Sequence, residues 1–134
     1  MTRSLGGDGG MPLLGDLGVR FDECGEGWVV ATWVPTENAC NPLGTVHGGV
    51  YGVVHDAAMN FATNSALESG ERAATLDLGY QILRAAEAGS QLEVRSDVMR
   101  VTRQIAYLES VVRNDEGAVV SRANGTFLLR RKSD

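Results

Sequence analysis

The stretch "NPLGTVHGGVYGVVHDAAMNFATNSAL", residues 41–67, decides how this chain folds. It is too rich in Ala, Met and Leu and too poor in β-branched residues for strands, and Val50, Val53, Val54, Ala57, Ala58 and Phe61 recur at helical spacing. The reading is one long helix from Val46 to about Leu67, with Thr45 as its N-cap. The stretch is long enough to span a bilayer, but Asp56, His55, Asn60 and Asn64 make it too polar for lipid. A helix apolar on nearly every side belongs inside a soluble protein, covered by sheet.

Outward from the helix, the chain reads as strand. On the N-terminal side, "GVRFDECGEGWVVATWVP" is a β-hairpin with "CGEG" as its turn and Pro35 as its stop, followed by the loop "TENACNPLGT". On the C-terminal side, Gly70 ends the helix. Leu76, Leu78 and Tyr80 then alternate with polar neighbours, as do Leu92, Val94 and Val98. Two more strands, 105–112 and 118–129, are joined by the turn "NDEG". The order β-β-α-β-β-β-β gives an α+β fold, an antiparallel sheet around one apolar helix. At 134 residues the chain is one domain, expected over 13–131 behind a Gly-rich, mobile segment at 1–12, with residues 12–17 as a short helical turn where the two meet.

Composition excludes several classes of function. Lys and Arg total 12 against 17 Asp and Glu, a net charge of −5, so no positive field attracts nucleic acid or an anionic membrane. Cys24 and Cys40 lack metal-type spacing and no apolar leader precedes them, which leads us to expect reduced thiols in the cytoplasm.

Asp56 is the anomaly in the helix, since the nearest other acidic or basic residues are Glu37 and Glu68. A carboxylate in an apolar setting is costly unless it is paired or hydrogen-bonded. A structural role would pair it with Asn60, Thr63 or a strand Arg. The "HGG" at the helix start argues for chemistry instead, because Gly48 and Gly49 leave first-turn N–H groups open to a carbonyl oxygen at the positive end of the helix dipole. Together these features suggest acyl chemistry, with a carbonyl polarised by Gly48 N–H and attacked by Asp56 or by water that Asp56 activates. The two residues are eight apart, about 12 Å along a helix axis. One carbonyl cannot meet both from a single chain, so a two-fold dimer must bring Gly48 of one protomer to Asp56 of the other.

The run "NPLGTVHGGV", followed by Asp56 and "AAM", closely resembles the signature of hot-dog-fold acyl-CoA thioesterases of the phenylacetate-type (PaaI-like) branch, and the resemblance extends over roughly residues 13–131. It implies Asn41 as a side-chain donor near the thioester, Gly48 N–H as the carbonyl-polarising group, Asp56 as the carboxylate contributed across the dimer, and Thr75 as the hydroxyl that orients it. His47 is expected to hold the loop beside the site and, with Gly49, Tyr51 and Met59, to touch substrate, a purely structural His47 being the alternative. Arg84 and Arg103, out of a set that includes Arg100, Arg130 and Arg131, are candidates for the coenzyme A phosphates. His55 faces elsewhere on the helix and is expected to be structural or at an interface. The expected substrate is an aryl- or medium-chain acyl-CoA, coenzyme A being part of the substrate rather than a cofactor, and the expected assembly is a homodimer within a homotetramer. A hot-dog hydratase or dehydratase, a non-catalytic acyl-CoA-binding module and a Cys40–His47 nucleophilic pair are the alternatives.

Overall fold

The helix expected between Val46 and Leu67 runs over Gly48–Ser65 (α2) in a computed structural model that describes residues 3, 4 and 6–132. Its N-cap is His47 rather than Thr45: the His47 backbone is extended and its Nδ1 accepts the Gly49 N–H at 3.0 Å. Thr45 sits two residues too early. Its hydroxyl and N–H are engaged with Asn41, and it bridges to Glu87.

Around α2 lie the strands the alternation implied, Val19–Gly25 (β2), Trp28–Trp33 (β3), Arg72–Ile82 (β4), Leu92–Val101 (β5), Ile105–Arg113 (β6) and Val119–Arg130 (β7). A two-residue strand, Arg3–Ser4 (β1), pairs with β2, and a short helix, Pro12–Leu17 (α1), precedes it. The antiparallel sheet has the order β1-β2-β3-β5-β6-β7-β4. After β3 the chain passes through α2 and reaches the opposite edge, so β4 is both the strand after the helix and an open edge. No helix of the described residues is long and apolar enough to cross a membrane.

The core forms where α2 meets the concave face of the sheet. Tyr51, Val54, Ala58, Met59 and Ala62 pack on Trp33, Val94, Leu108, Ala123 and Phe127, all buried. Tyr51 meets Trp33 edge to face, with ring centroids 5.4 Å apart. Gly125 on β7 has no side chain because Met59 occupies its place: a Cβ there would lie 2.8 Å from the Met59 methyl.

Of the segment expected to be mobile, residues 1, 2 and 5 lie outside the described residues. Within the remainder, Phe21 N–H donates to Gly7 O at 2.8 Å and Gly9 stands against the Phe21 ring.

The strand alternation fails at one place. β4 carries a bulge between Thr75 and Asp77, so Leu76 is the extra residue and is 56% exposed. Thr75 opposes the buried Phe127, while Leu78 and Tyr80 oppose Gly125 and Ala123. Without the extra residue, Thr75 and Leu78 would face opposite sides of the sheet; with it, both face the helix.

Candidate active site

Asp56 stands on the flank of α2 between its buried stripe and solvent, half-buried. Thr75 reaches it from β4, its hydroxyl donating to Asp56 Oδ1 at 2.6 Å. The structural partners expected from the sequence are engaged elsewhere: Asn60 with Ala73 O and Asn64, and Thr63 with Met59 O. Asp56 opens into a cavity of about 610 Å³. Val53, Ala57 and Phe61 from α2, Leu13 and Leu14 from α1, and Phe21 give it an apolar wall, on which Phe21 and Phe61 stack 4.7 Å apart. Asp8, Asn60, Asn64 and Ser65 add polar groups.

Gly48 opens into a different and smaller cavity of about 280 Å³, shared with Thr45, Tyr51, Ile82, Leu83 and Arg84. Tyr80 clamps this helix start by donating from Oη to Gly48 O at 2.9 Å, and its ring fills the space beside Gly52, where any Cβ would meet it at 2.9 Å. Within one chain, then, the structure joins Asp56 to Thr75 and Gly48 to Arg84, and holds the two pairs in separate cavities.

The other expected site residues divide. Asn41 shapes the loop before the helix: its carbonyl oxygen accepts from the Leu43 and Thr45 N–H groups, and its amide donates to the Thr45 hydroxyl at 3.0 Å. An amide nitrogen carries two hydrogens, so one donor remains after the Thr45 bond. Gly49 N–H is consumed by His47, whose Nδ1 is thereby an acceptor. Tyr51 is almost wholly buried where it lines the floor of the Gly48 cavity. Burial, with Cys40 nearby, pushes its phenol up, and among the described residues Oη finds no hydrogen-bond partner. Met59 is corrected outright: it is 0% exposed against Gly125 and cannot touch a ligand, because three residues past Asp56 the helix has turned from the Asp56 flank to its buried stripe. Arg84 donates to Val119 O beside the Gly48 cavity. Arg103 belongs to the turn between β5 and β6, where its carbonyl accepts from Arg131, near the Arg72 end of β4. Arg84 and Arg103 therefore stand at opposite ends of an 11-residue strand, too far apart to share one phosphate group within a protomer.

Cys40 donates from Sγ to Thr36 O while His47 Nδ1 takes the Gly49 N–H, so neither is bonded to the other. Among the described residues, no group of three His, Cys, Asp or Glu side chains is placed to hold a metal ion.

His55 is wholly buried, its Nδ1 lying 2.8 Å from Ser110 Oγ on β6 and its Nε2 2.9 Å from Ser121 Oγ on β7. Ser121 spends its only proton on Gln81 O at 2.7 Å. It must accept from Nε2–H. In the neutral ring Ser110 then donates to Nδ1, which fixes one tautomer, occupies both nitrogens and removes the ring as an acid–base partner for Asp56. Burial keeps the ring neutral at pH 7 by pushing its pKa down to about 4 from 6.5. Between those values the unfolded chain binds more protons than the folded one, so stability is full above pH 6.5 and is lost as pH falls toward 4. The total loss is on the order of 3 kcal/mol. Urea unfolding from pH 7 down to 4.5 should show this slope, and His55→Gln should lose it; an equal slope in both proteins would count against a buried neutral His55.

The sequence model of the thioesterase superfamily matches residues 43–121, which include Gly48, Asp56 and Thr75. An esterase candidate of Pseudomonas aeruginosa, PA0474, is 30% identical over 120 residues, 88% of each chain. Among solved structures, thioesterase HI1161 of Haemophilus influenzae superposes with a TM-score of 0.83 at 23% identity, over 91% of this chain and 85% of that one. A hypothetical thioesterase of Streptococcus pneumoniae, solved with coenzyme A, superposes with a TM-score of 0.78 at 21% identity, over 84% of this chain and 86% of that one.

Proposed function

The chain belongs to the thioesterase superfamily, and on that premise we propose that it hydrolyses an acyl-CoA thioester to the free acid and coenzyme A. The observation that carries the reading is the Asp56 carboxylate, held at one oxygen by Thr75 and facing a 610 Å³ cavity with an apolar wall. Thr75 leaves Oδ2 available to a water molecule or to the acyl carbon. The coenzyme A bound to the pneumococcal relative supports coenzyme A as the thiol.

The active unit is a homodimer. Two observations favour it: Gly48 and Asp56 open into separate cavities, and the unpaired edge of β4 carries exposed Leu76 and Ile82, with Leu83 beyond. An apolar free edge calls for cover, and a second copy across a two-fold axis supplies it. Pairs of such dimers form the tetramer.

In the reaction, Gly48 N–H and the remaining Asn41 donor of one protomer polarise the thioester carbonyl, and Asp56 of the other takes a proton from water as the oxygen adds to carbon. The carbon–sulfur bond then breaks, and the coenzyme A thiolate recovers the proton from Asp56. Direct attack by Asp56, through an anhydride that water opens, uses the same residues. Arg84, beside the Gly48 cavity, is the residue best placed to meet coenzyme A phosphate. The Phe21–Phe61 wall suits an aryl or medium-length acyl group, in keeping with the phenylacetate-type branch.

Thiol release from aryl and straight-chain acyl-CoAs tests the assignment. We expect aryl and medium-chain substrates to turn over; binding of the panel with no thiol released would turn the protein into an acyl-CoA-binding module.

A further inference from the structure

We propose that His55 is a positioning residue for Asp56: its doubly hydrogen-bonded imidazole fixes the rotation of α2 about its own axis, and with it the direction in which the Asp56 carboxylate points. The inference rests on the reading of Asp56 as the reactive carboxylate.

The buried stripe of α2 comprises Tyr51, Val54, His55, Ala58, Met59, Ala62 and Thr63. Its apolar members grip the sheet by packing, Met59 seated against Gly125 and Tyr51 edge to face with Trp33, and Thr63 turns its hydroxyl back to Met59 O on its own helix at 2.8 Å. Tyr51 Oη bonds to nothing among the described residues. His55 alone in the stripe hydrogen-bonds to side chains of the sheet, and it does so to two adjacent strands at once. Two directional bonds from opposite ends of a flat ring leave the ring one orientation, and a fully satisfied buried polar network of this kind specifies a single packing.

The consequence passes to the next residue in the chain. A helix side chain ends roughly 6 Å from the axis, so a slip of about 20° would carry the carboxylate about 2 Å sideways. A displacement of about 1 Å is enough to cost a reaction on the order of a hundredfold. The network also ends on the strand that matters: Ser121 donates to Gln81 O on β4, the strand whose Thr75 holds Asp56 Oδ1. β4 therefore constrains the carboxylate twice, directly through Thr75 and indirectly through Ser121 and His55.

The test compares His55→Gln, which keeps one donor and one acceptor, with His55→Leu, which keeps bulk and neither. For His55→Leu we expect kcat to fall at least tenfold per folded molecule with KM within about twofold, and for His55→Gln most of kcat to return. Independently of turnover, the Asp56 carboxyl carbon is followed by NMR through its titration in all three proteins. Its midpoint should move in His55→Leu and stay with wild type in His55→Gln. Should His55→Leu fail to fold, Ser110→Ala, which removes one of the two bonds, takes its place in both measurements. Unchanged kcat together with an unchanged Asp56 titration overturns the proposal and leaves His55 a packing residue. A wild type that releases no thiol defeats the thioesterase reading instead, and the carboxyl titration still decides whether His55 sets Asp56.

Discussion

Asp56→Asn lowers kcat by about 10²- to 10⁴-fold, the range expected when a general base is removed, and leaves KM within a few fold. The substitution is close to isosteric, and Thr75 can still donate its hydroxyl proton to the amide oxygen that replaces Asp56 Oδ1. Cavity, helix and dimer are therefore retained while the charge and the proton-accepting oxygen are lost. Steady-state thiol release and gel filtration on the same preparation separate the two. Activity within tenfold of wild type in an intact dimer would remove Asp56 from the chemistry, whether as base or as nucleophile.

Mixing two inactive variants restores activity, and this second result bears on where the site is assembled. Gly48→Pro removes the helix-start N–H without breaking the helix, because proline is at home in the first helical position. The residue before it, His47, already has the extended backbone, φ −64° and ψ 135°, that a following proline demands. A Cβ at position 48 meets only the Ile82 Cδ1 at 3.4 Å, an ordinary contact. Alone, Gly48→Pro and Asp56→Asn should each be inactive. After subunit exchange, half of the dimers are mixed, and in each mixed dimer one of the two sites pairs an intact Gly48 with an intact Asp56 from the other chain. About a quarter of wild-type activity should return. If one chain supplied both groups, every site would keep one defect and nothing would return, so the absence of recovery under confirmed exchange would refute the shared site.

Both experiments concern residues that stand out in the sequence itself. Asp56 is anomalous because the chain around it is uncharged, and a charge among apolar neighbours must answer for its desolvation. Gly48 is visible because paired glycines at a helix start leave N–H groups open. The helix, the hairpin and the succession of strands along the chain are equally legible, since periodicities of 3.6 and 2 in the apolar residues are local properties of the chain.

What the sequence by itself determined was the long helix and the six main strands, the fold they make and the one carboxylate set among apolar neighbours, because each follows from spacing along the chain. The tertiary structure decided which side chains share a space. One extra residue in β4, Leu76, turns Thr75 toward Asp56, and nothing in the alternation marks a bulge. Met59, three residues past Asp56, rotates into the core, where the absent side chain of Gly125 makes room for it. His55 owes its fixed tautomer to Ser110 and Ser121, which lie 55 and 66 residues away. Such contacts depend on register between distant strands, and register is set by the packing of the whole sheet on the helix rather than by any one segment.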